Sequence, residues 1–231
     1  EYCVDALRAM ETDSISLSSL LSVFCAGEPI RAQSIAAFTE TFERLGLRPD
    51  AVRPHYGLTE VGCLATESSE ASPTVLEADL EILGQGRAEH AGASRTSRAL
   101  VRNGRIRGPV QVEIVDPETC EVVPPGRVGE VWFRSGSVCQ GYYNQPEENA
   151  RTFGATVATT GESGFFRTGD LGFVLDEYLY LVGRAKELLI VNGMKFYPPD
   201  LETTLRNRIP ELRLNTAVFS LDTEDGERIV L

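Results

Sequence analysis

The chain has 231 residues, 42% hydrophobic and 24% charged, which suits one large domain or one and a half with a sizeable core. Its formal net charge of −12 argues against nucleic acid or an anionic membrane surface as a partner, and no apolar run approaches the roughly 18 residues of a membrane span. Five scattered cysteines without C-x-x-C spacing disfavour a metal site and indicate buried free thiols in a reducing compartment, hence a cytoplasmic location.

The first part of the chain predicts a strand–helix–strand unit of the α/β class. The apolar run Leu20 to Phe24, bounded by small residues, predicts a buried parallel strand, and Ala26-Gly27-Glu28-Pro29 is the turn at its carboxyl end. Apolar residues recur at helical spacing from Arg31 to Leu45, and Gly46 predicts the end of that helix. The segment Ala51 to His55 completes the unit. Ligands of such sheets bind beyond the carboxyl ends of the strands.

The hexapeptide His55-Tyr56-Gly57-Leu58-Thr59-Glu60 follows the second of these strands and carries the most chemistry. Tyr56 offers a flat aromatic face for a purine, and Gly57 permits a close approach of the backbone. Thr59 can donate a hydrogen bond to a phosphate oxygen, and Glu60 supplies the carboxylate oxygen that Mg²⁺ prefers beside phosphates. Taken alone, the hexapeptide is also typical of an ordinary loop with an N-cap threonine.

Two apolar runs around an acidic turn predict a hairpin further along the chain. The runs are Leu171 to Val174 and Tyr178 to Val182, and the turn is Asp176-Glu177. Because Asp170 directly precedes the first run and the hairpin ends at Gly183-Arg184, the side chains of Asp170 and Arg184 are expected at the same end of adjacent strands. A carboxylate beside an arginine suits the two hydroxyls of a ribose; a surface ion pair is the alternative.

The charged segment Gly183 to Glu187 separates two strongly patterned parts of the chain. After it, Leu188 to Val191 and Met194 to Tyr197 flank Asn192-Gly193, a strong hairpin signal, and a helix follows. A new hairpin and helix therefore begin at Lys186. This position is therefore predicted to be a domain boundary and hinge.

These motifs resemble those of the adenylate-forming superfamily, which includes acyl-CoA synthetases, luciferases, adenylation domains of peptide synthetases and fatty acyl-AMP ligases. The resemblance rests on Arg167-Thr168-Gly169-Asp170, on the segment Gly183 to Glu187 and on the hexapeptide after the second strand. It implies that residues 1–185 are the C-terminal part of a large AMP-binding domain, with the βαβ unit plus a strand-rich, barrel-like subdomain. Residues 186–231 would begin a small, mobile α+β domain hinged at Lys186.

The resemblance also implies a role for each matched residue, with ATP and Mg²⁺ as cofactors. The expected nucleotide-binding residues are Ala26, Gly27, Glu28, Tyr56, Gly57, Asp170 and Arg184. Thr59 would contact the α-phosphate, Glu60 would hold Mg²⁺, and Lys186 would be the pivot. His55 would line the acyl pocket, a merely structural histidine being the alternative.

One segment, about residues 79–107, departs from the commonest form of the superfamily. Its surroundings predict a strand from Thr74 to Ala78, a strand-like run from Leu80 to Leu83, a mobile or partly ordered polar loop from Gly84 to Arg98 and a turn from Gly104 to Val110. A long insertion here resembles that of fatty acyl-AMP ligases, where it hinders the rotation needed to form a CoA thioester. A tolerated surface loop is the alternative.

Four aromatic residues in the strand-rich region are interpreted as packing residues rather than ligand contacts. They are Trp132, Phe133, Tyr142 and Tyr143. Their sequence context resembles the Gly-Glu-aromatic and Gly-Tyr-Tyr-Asn motifs of the superfamily.

As a whole, the resemblance implies ATP-dependent activation of a fatty acid to an acyl-adenylate and transfer to the phosphopantetheine thiol of an acyl carrier protein, as in polyketide or lipopeptide biosynthesis. The alternatives are an acyl-CoA or aryl-CoA ligase, an amino-acid adenylation domain of a peptide synthetase, and a non-enzymatic nucleotide-binding scaffold. The family's phosphate loop is expected before Glu1 and its catalytic lysine after Leu231. The isolated chain is therefore expected to be inactive.

Overall fold

A computed structural model describes residues 2–8, 14–68, 74–92, 96–106, 108–191, 194–212, 216–223 and 226–230. Within these ranges the helices are α1 (Tyr2–Arg8), α2 (Ala32–Glu43), α3 (Leu80–Gly84), α4 (Pro146–Thr152) and α5 (Pro198–Arg208). The strands of the first half are β1 (Val23–Cys25), β2 (Val52–Pro54), β3 (Val75–Asp79), β4 (Ser97–Arg105) and β5 (Gln111–Val115). Those of the second half are β6 (Gly129–Arg134), β7 (Phe166–Leu175), β8 (Tyr178–Arg184), β9 (Leu189–Val191), β10 (Met194–Phe196), β11 (Phe219–Thr223) and β12 (Gly226–Val230). None of the described helices is long and apolar enough to cross a membrane.

The predicted strand–helix–strand unit is confirmed. Strands β1 and β2 pair in parallel, with α2 between them in the chain and Ile35 of α2 in the core. Gly46, at φ +88°, follows the helix and takes a left-handed conformation that a glycine adopts without strain. The prediction that Leu20 to Phe24 is a buried strand is wrong in part, because regular pairing begins at Val23 and Leu21 and Phe24 are 69% and 65% exposed.

A six-stranded antiparallel sheet forms the centre of the molecule, and its strand order is β3-β4-β8-β7-β6-β5. The predicted hairpin is present as β7 and β8, and both turn residues, Asp176 and Glu177, have positive φ. Trp132 and Phe133 of β6 are fully buried, which confirms their interpretation as core residues. The same interpretation is wrong for Tyr143, which is 98% exposed. The prediction that the five cysteines are buried is also wrong, because three of them are exposed and two are only partly buried.

The structure corrects the predictions for the segment between the hexapeptide and β5. The strand predicted over Thr74 to Ala78 is present as β3, whereas Leu80–Gly84, in place of the second strand, is helix α3. The helix begins there because the Asp79 carboxylate accepts hydrogen bonds from the backbone N–H groups of Glu81 and Ile82, at 3.0 and 3.1 Å. The last residues of the loop predicted from Gly84 to Arg98 belong to β4, which is an inner strand of the sheet. Gly104, predicted to begin a turn, also lies in β4.

The C-terminal part packs against this sheet. The predicted hairpin after Lys186 is present as antiparallel β9 and β10, although its Asn192-Gly193 turn lies outside the described residues. The helix predicted after this hairpin, from Leu201 to Arg208, is present as α5, which already begins at Pro198 because proline suits the first turn of a helix. Tyr197 is buried in one core cluster with residues of β4, β7 and β8. A domain boundary at Lys186 stays a prediction.

Candidate functional site

The structure brings Asp170, Arg184 and Tyr56 together at one end of the sheet. Asp170 of β7 lies opposite Arg184 of β8, as the hairpin predicted, and Arg184 Nε donates to Asp170 Oδ1 at 2.9 Å. The phenol of Tyr56, 114 residues away in the chain, donates to Asp170 Oδ2 at 2.5 Å. The Asp170 side chain is largely buried and Arg184 is largely exposed. One carboxylate therefore joins the hexapeptide to the hairpin, and its partner arginine faces solvent.

The chain of β7 turns locally at Gly169, where its pairing with β6 shifts register, and this turn fixes the direction of the Asp170 carboxylate. Gly169 has φ +72°, and its N–H donates to Oε1 of the buried Glu130 at 3.0 Å. The Thr168 hydroxyl accepts from the Asp170 N–H at 2.9 Å and donates to the Val131 carbonyl at 2.7 Å. These bonds hold the turn to Glu130 and Val131 of β6. Sequence patterns identified the Thr-Gly-Asp motif but not Glu130, whose position under the turn depends on the pairing of β6 with β7.

Tyr56 is more enclosed than the sequence suggested. Only 7% of the residue is exposed, and its ring lies 5.7 Å from that of Phe133. Burial, followed by the charge of Asp170, raises the pKa of Tyr56 well above its usual range, so the phenol remains a hydrogen-bond donor at neutral pH. Stacking of Tyr56 on a purine stays a prediction.

Gly57 makes a close backbone approach, but to the chain itself. A Cβ at this position would lie 1.7 Å from the Cys63 carbonyl oxygen, so no other residue fits without moving the loop. The same loop returns to the hexapeptide through hydrogen bonds from the N–H groups of Ala65 and Thr66 to the Tyr56 carbonyl. Packing within the loop is therefore sufficient to explain this glycine, and its contact with a nucleotide stays a prediction.

Thr59 and Glu60 open a short 3-10 turn that is fixed by the segment after β6. Thr59 is exposed and Glu60 is half-buried. Tyr142 Oη donates to Glu60 Oε1 at 2.7 Å, and the Cys139 N–H donates to the Glu60 carbonyl at 2.8 Å. Tyr142, interpreted from the sequence as a packing residue, therefore touches a candidate site residue. Its Gly-Tyr-Tyr-Asn motif was the only signal in the sequence.

The Glu60 carboxylate is suited to be one ligand of a divalent cation whose other ligands include phosphate oxygens. Its Oε2 accepts no hydrogen bond from any residue that the structure describes. The described residues include no cluster of three or more His, Cys, Asp or Glu side chains that would bind a metal by themselves. A single protein carboxylate with phosphate oxygens is a common arrangement for Mg²⁺.

The turn 26–28 and His55 lie at the same edge of the small parallel sheet, because the His55 N–H donates to the Cys25 carbonyl at 2.9 Å. Ala26, Gly27 and Glu28 are exposed, and Gly27 has φ +92°. His55 is buried, and its Nδ1 lies 2.9 Å from the Thr66 carbonyl oxygen, so Nδ1 carries the hydrogen. Its Nε2 has no hydrogen-bond partner among the described residues. A role in an acyl pocket stays a prediction.

Lys186 lies in a 3-10 turn that joins β8 to β9, and its side chain is exposed. The Thr152 hydroxyl, followed by the charges of Arg151 and Lys186, lowers the pKa of Glu148 in α4. The Lys186 charge therefore acts on Glu148 of α4. A pivot at Lys186 stays a prediction.

Comparisons with known proteins agree with the motifs. The profile of a family described as "AMP-binding enzyme" matches residues 1–143. The chain is similar to the medium-chain-fatty-acid–[acyl-carrier-protein] ligase JamA of Moorena producens, with 35% identity over 236 residues that cover 100% of this chain and 40% of JamA. It is also similar to the long-chain-fatty-acid–AMP ligase FadD28 of Mycobacterium tuberculosis, with 38% identity over 196 residues, 82% of this chain and 33% of FadD28.

A solved structure supports the same relationship. The fatty acyl-adenylate ligase from Legionella pneumophila, in complex with acyl adenylate and pyrophosphate, matches with a TM-score of 0.73 and 33% identity over 99% of this chain and 40% of that chain. The α/β fold class expected from the sequence is thereby confirmed. The chain spans at most about two fifths of the length of these relatives.

Proposed function

We propose, from the premise that this chain belongs to the family of AMP-binding enzymes, that it contributes the nucleoside and metal side of an acyl-adenylate site. The substrates would be ATP and a fatty acid, the acids that the names of JamA and FadD28 give for those proteins. The observation that carries the proposal is the position of Asp170 between Tyr56 and Arg184, within hydrogen-bond distance of both.

The nucleoside would lie across the end of the hairpin. Each Asp170 oxygen already accepts one hydrogen bond, but a carboxylate oxygen has a second lone pair for a ribose hydroxyl. The exposed Arg184 would donate to the same hydroxyls. Adenine would rest between Tyr56 and the exposed backbone of residues 26–28, which lies at the carboxyl end of β1.

Activation requires the fatty carboxylate to attack the α-phosphate of ATP, forming a C–O–P anhydride and releasing pyrophosphate. Both reactants are anions, so positioning and charge neutralisation are the main contributions that a protein makes. The exposed hydroxyl of Thr59 would donate to an α-phosphate oxygen, and Glu60 would hold Mg²⁺. A bound Mg²⁺ would offset the charge of the phosphates. His55 would border the acyl chain.

The acceptor that we propose is the phosphopantetheine thiol of a carrier protein, and the support for it is that JamA is named an acyl-carrier-protein ligase. The thiolate would attack the acyl carbonyl carbon and AMP would leave with the anhydride oxygen. We further propose that residues 186–231 move about Lys186 between the two steps, and that the reaction takes place in the cytoplasm, where five free cysteines remain reduced.

The test uses the intact protein with MgATP and a medium-chain fatty acid, with CoA and a phosphopantetheinylated carrier protein in separate reactions. Mass spectrometry identifies the products. We expect acyl-AMP in both reactions and an acyl thioester only on the carrier. Acyl-CoA would identify an acyl-CoA ligase instead, and adenylation of an amino acid but of no fatty acid would identify a peptide-synthetase domain. No adenylate with any acid would leave only a nucleotide-binding scaffold.

A further inference from the structure

The turn that carries Glu60 is held at three points by one segment after β6. Tyr142 Oη donates to Glu60 Oε1 at 2.7 Å, and the Cys139 N–H donates to the Glu60 carbonyl at 2.8 Å. The Ser137 hydroxyl donates to the Val61 carbonyl at 2.9 Å. The two segments are about 80 residues apart in the chain. Backbone and side chain of Glu60 are thus fixed by the same neighbour.

Tyr142 is itself fixed by helix α4. The Asn149 side chain bridges the tyrosine backbone, with Oδ1 accepting from the Tyr142 N–H at 2.7 Å and Nδ2 donating to the Tyr142 carbonyl at 2.9 Å. The Tyr142 ring packs edge-on against Phe153, with centroids 5.2 Å apart. Gly141 has φ +143°, and a Cβ there would lie 2.8 Å from Asn149, so the two hydrogen bonds of the Asn149 side chain also require this glycine.

Packing explains the ring of Tyr142 but not its hydroxyl. Phe153 contacts the ring, and a phenylalanine at position 142 would make the same contact. The hydroxyl has one described partner, the Glu60 carboxylate. Because an ionised carboxylate only accepts hydrogen bonds, the Tyr142 hydroxyl is the donor in this contact.

We infer that Tyr142 is a positioning residue for Glu60: it binds one carboxylate oxygen and turns the other towards a divalent cation. The inference rests on the proposed function, because it takes the Glu60 carboxylate as the protein ligand of that cation. A carboxylate fixed in advance loses less rotational freedom when a metal binds, so the affinity for the cation rises. Tyr142 would not touch the reacting atoms.

The test replaces Tyr142 by phenylalanine in the intact protein and measures metal affinity in two ways. Binding of Mn²⁺ in the presence of ATP is followed by electron paramagnetic resonance, which requires no turnover. Acyl-AMP formation is then measured over a range of Mg²⁺ concentrations. The matched control is Tyr143→Phe, because Tyr143 is the next residue and is 98% exposed. Circular dichroism and thermal melting show that each variant is folded.

We expect Tyr142→Phe to raise the metal concentration for half-saturation about three- to tenfold in both assays, with full activity restored by excess Mg²⁺. Tyr143→Phe should match the wild type. Half-saturation at the wild-type concentration, or a loss of activity that excess Mg²⁺ does not restore, would overturn the inference. A wild type that binds no Mn²⁺ with ATP would also overturn it. A wild type that makes no acyl-AMP, together with a shifted Mn²⁺ titration, would contradict only the proposed reaction.

Discussion

Replacing Arg98 by methionine removes half of an ion pair that joins β4 to α5, and we expect it to loosen the C-terminal segment from the sheet. Arg98 Nε lies 2.7 Å from Asp200 Oδ1, and Nη1 donates to Oδ2 at 3.0 Å. Nη2 donates to the Val182 carbonyl at 2.9 Å. The two side chains are only 16% and 19% exposed. A lone Asp200 would therefore be a nearly buried charge without a counter-ion.

The expected cost follows from this burial. Breaking a buried pair costs about 3–5 kcal/mol, and the slight exposure of both side chains favours the lower end, about 3 kcal/mol. Because two desolvated charges gain little overall, the double variant Arg98→Met/Asp200→Leu should unfold within about 1 kcal/mol of the wild type. Arg48→Met, which breaks the exposed pair with Asp50, should leave stability unchanged and serves as the control.

The stability lost in the Arg98→Met variant should also depend on pH. Burial raises the pKa of Asp200 to about 6 from 3.8, against the opposing charge of Arg98. A raised carboxyl pKa means that the folded state binds the proton more tightly, so this group lowers stability by about 3 kcal/mol as pH rises from about 4 through about 6. Without Arg98 the pKa of Asp200 rises further. The deficit of Arg98→Met should then be full near pH 7.5 and shrink near pH 5.

Urea unfolding of the intact protein measures these free energies, and hydrogen exchange shows where protection is lost. We expect faster exchange in β9, β10 and α5 of the Arg98→Met variant, with β6 and β7 unchanged. The reasoning would be refuted by a single-variant cost below about 0.5 kcal/mol, or by a double variant whose cost equals the sum of the two single ones.

Two further predictions concern the candidate site. Asp170→Asn leaves Tyr56 or Arg184 facing an amide nitrogen, so kcat/KM for ATP should fall about 10- to 100-fold. The control is Asp176→Asn in the exposed hairpin turn, for which kcat/KM should not change. Equal values for the two variants would contradict the assignment of Asp170 to the nucleoside site. Gly57→Ala should destabilise the fold by at least about 3 kcal/mol in thermal melts, because its Cβ would overlap the Cys63 carbonyl. The control is Gly27→Ala: a Cβ at this position meets open space and only the φ of +92° is unfavourable, so the cost in stability should be about 1 kcal/mol. Similar losses of stability for the two variants would show that the loop around Gly57 adapts to a side chain.

The sequence predicted those elements whose structure is determined by residues close together in the chain. The hairpin of β7 and β8 was predicted because apolar alternation and an acidic turn determine its register, and that register brings Asp170 opposite Arg184. The family resemblance is confirmed by the profile match to residues 1–143 and by a relative that aligns along the whole chain at 35% identity.

The segment around α3 was mistaken because a short apolar run does not distinguish a strand from a helix. The Asp79 carboxylate stabilises the helix by accepting hydrogen bonds at its first turn, and this contact is seen only in the folded structure. Likewise, the bonds from Tyr56 to Asp170 and from Tyr142 to Glu60 join segments about 114 and 82 residues apart, and no local pattern predicts such contacts.

A crystal structure of the intact protein with a non-hydrolysable acyl-adenylate analogue tests the central claim most directly. We predict both ribose hydroxyls within about 3 Å of Asp170 or Arg184, and adenine between Tyr56 and the backbone of residues 26–28. A nucleoside bound away from Asp170 in an otherwise unchanged fold would contradict the account.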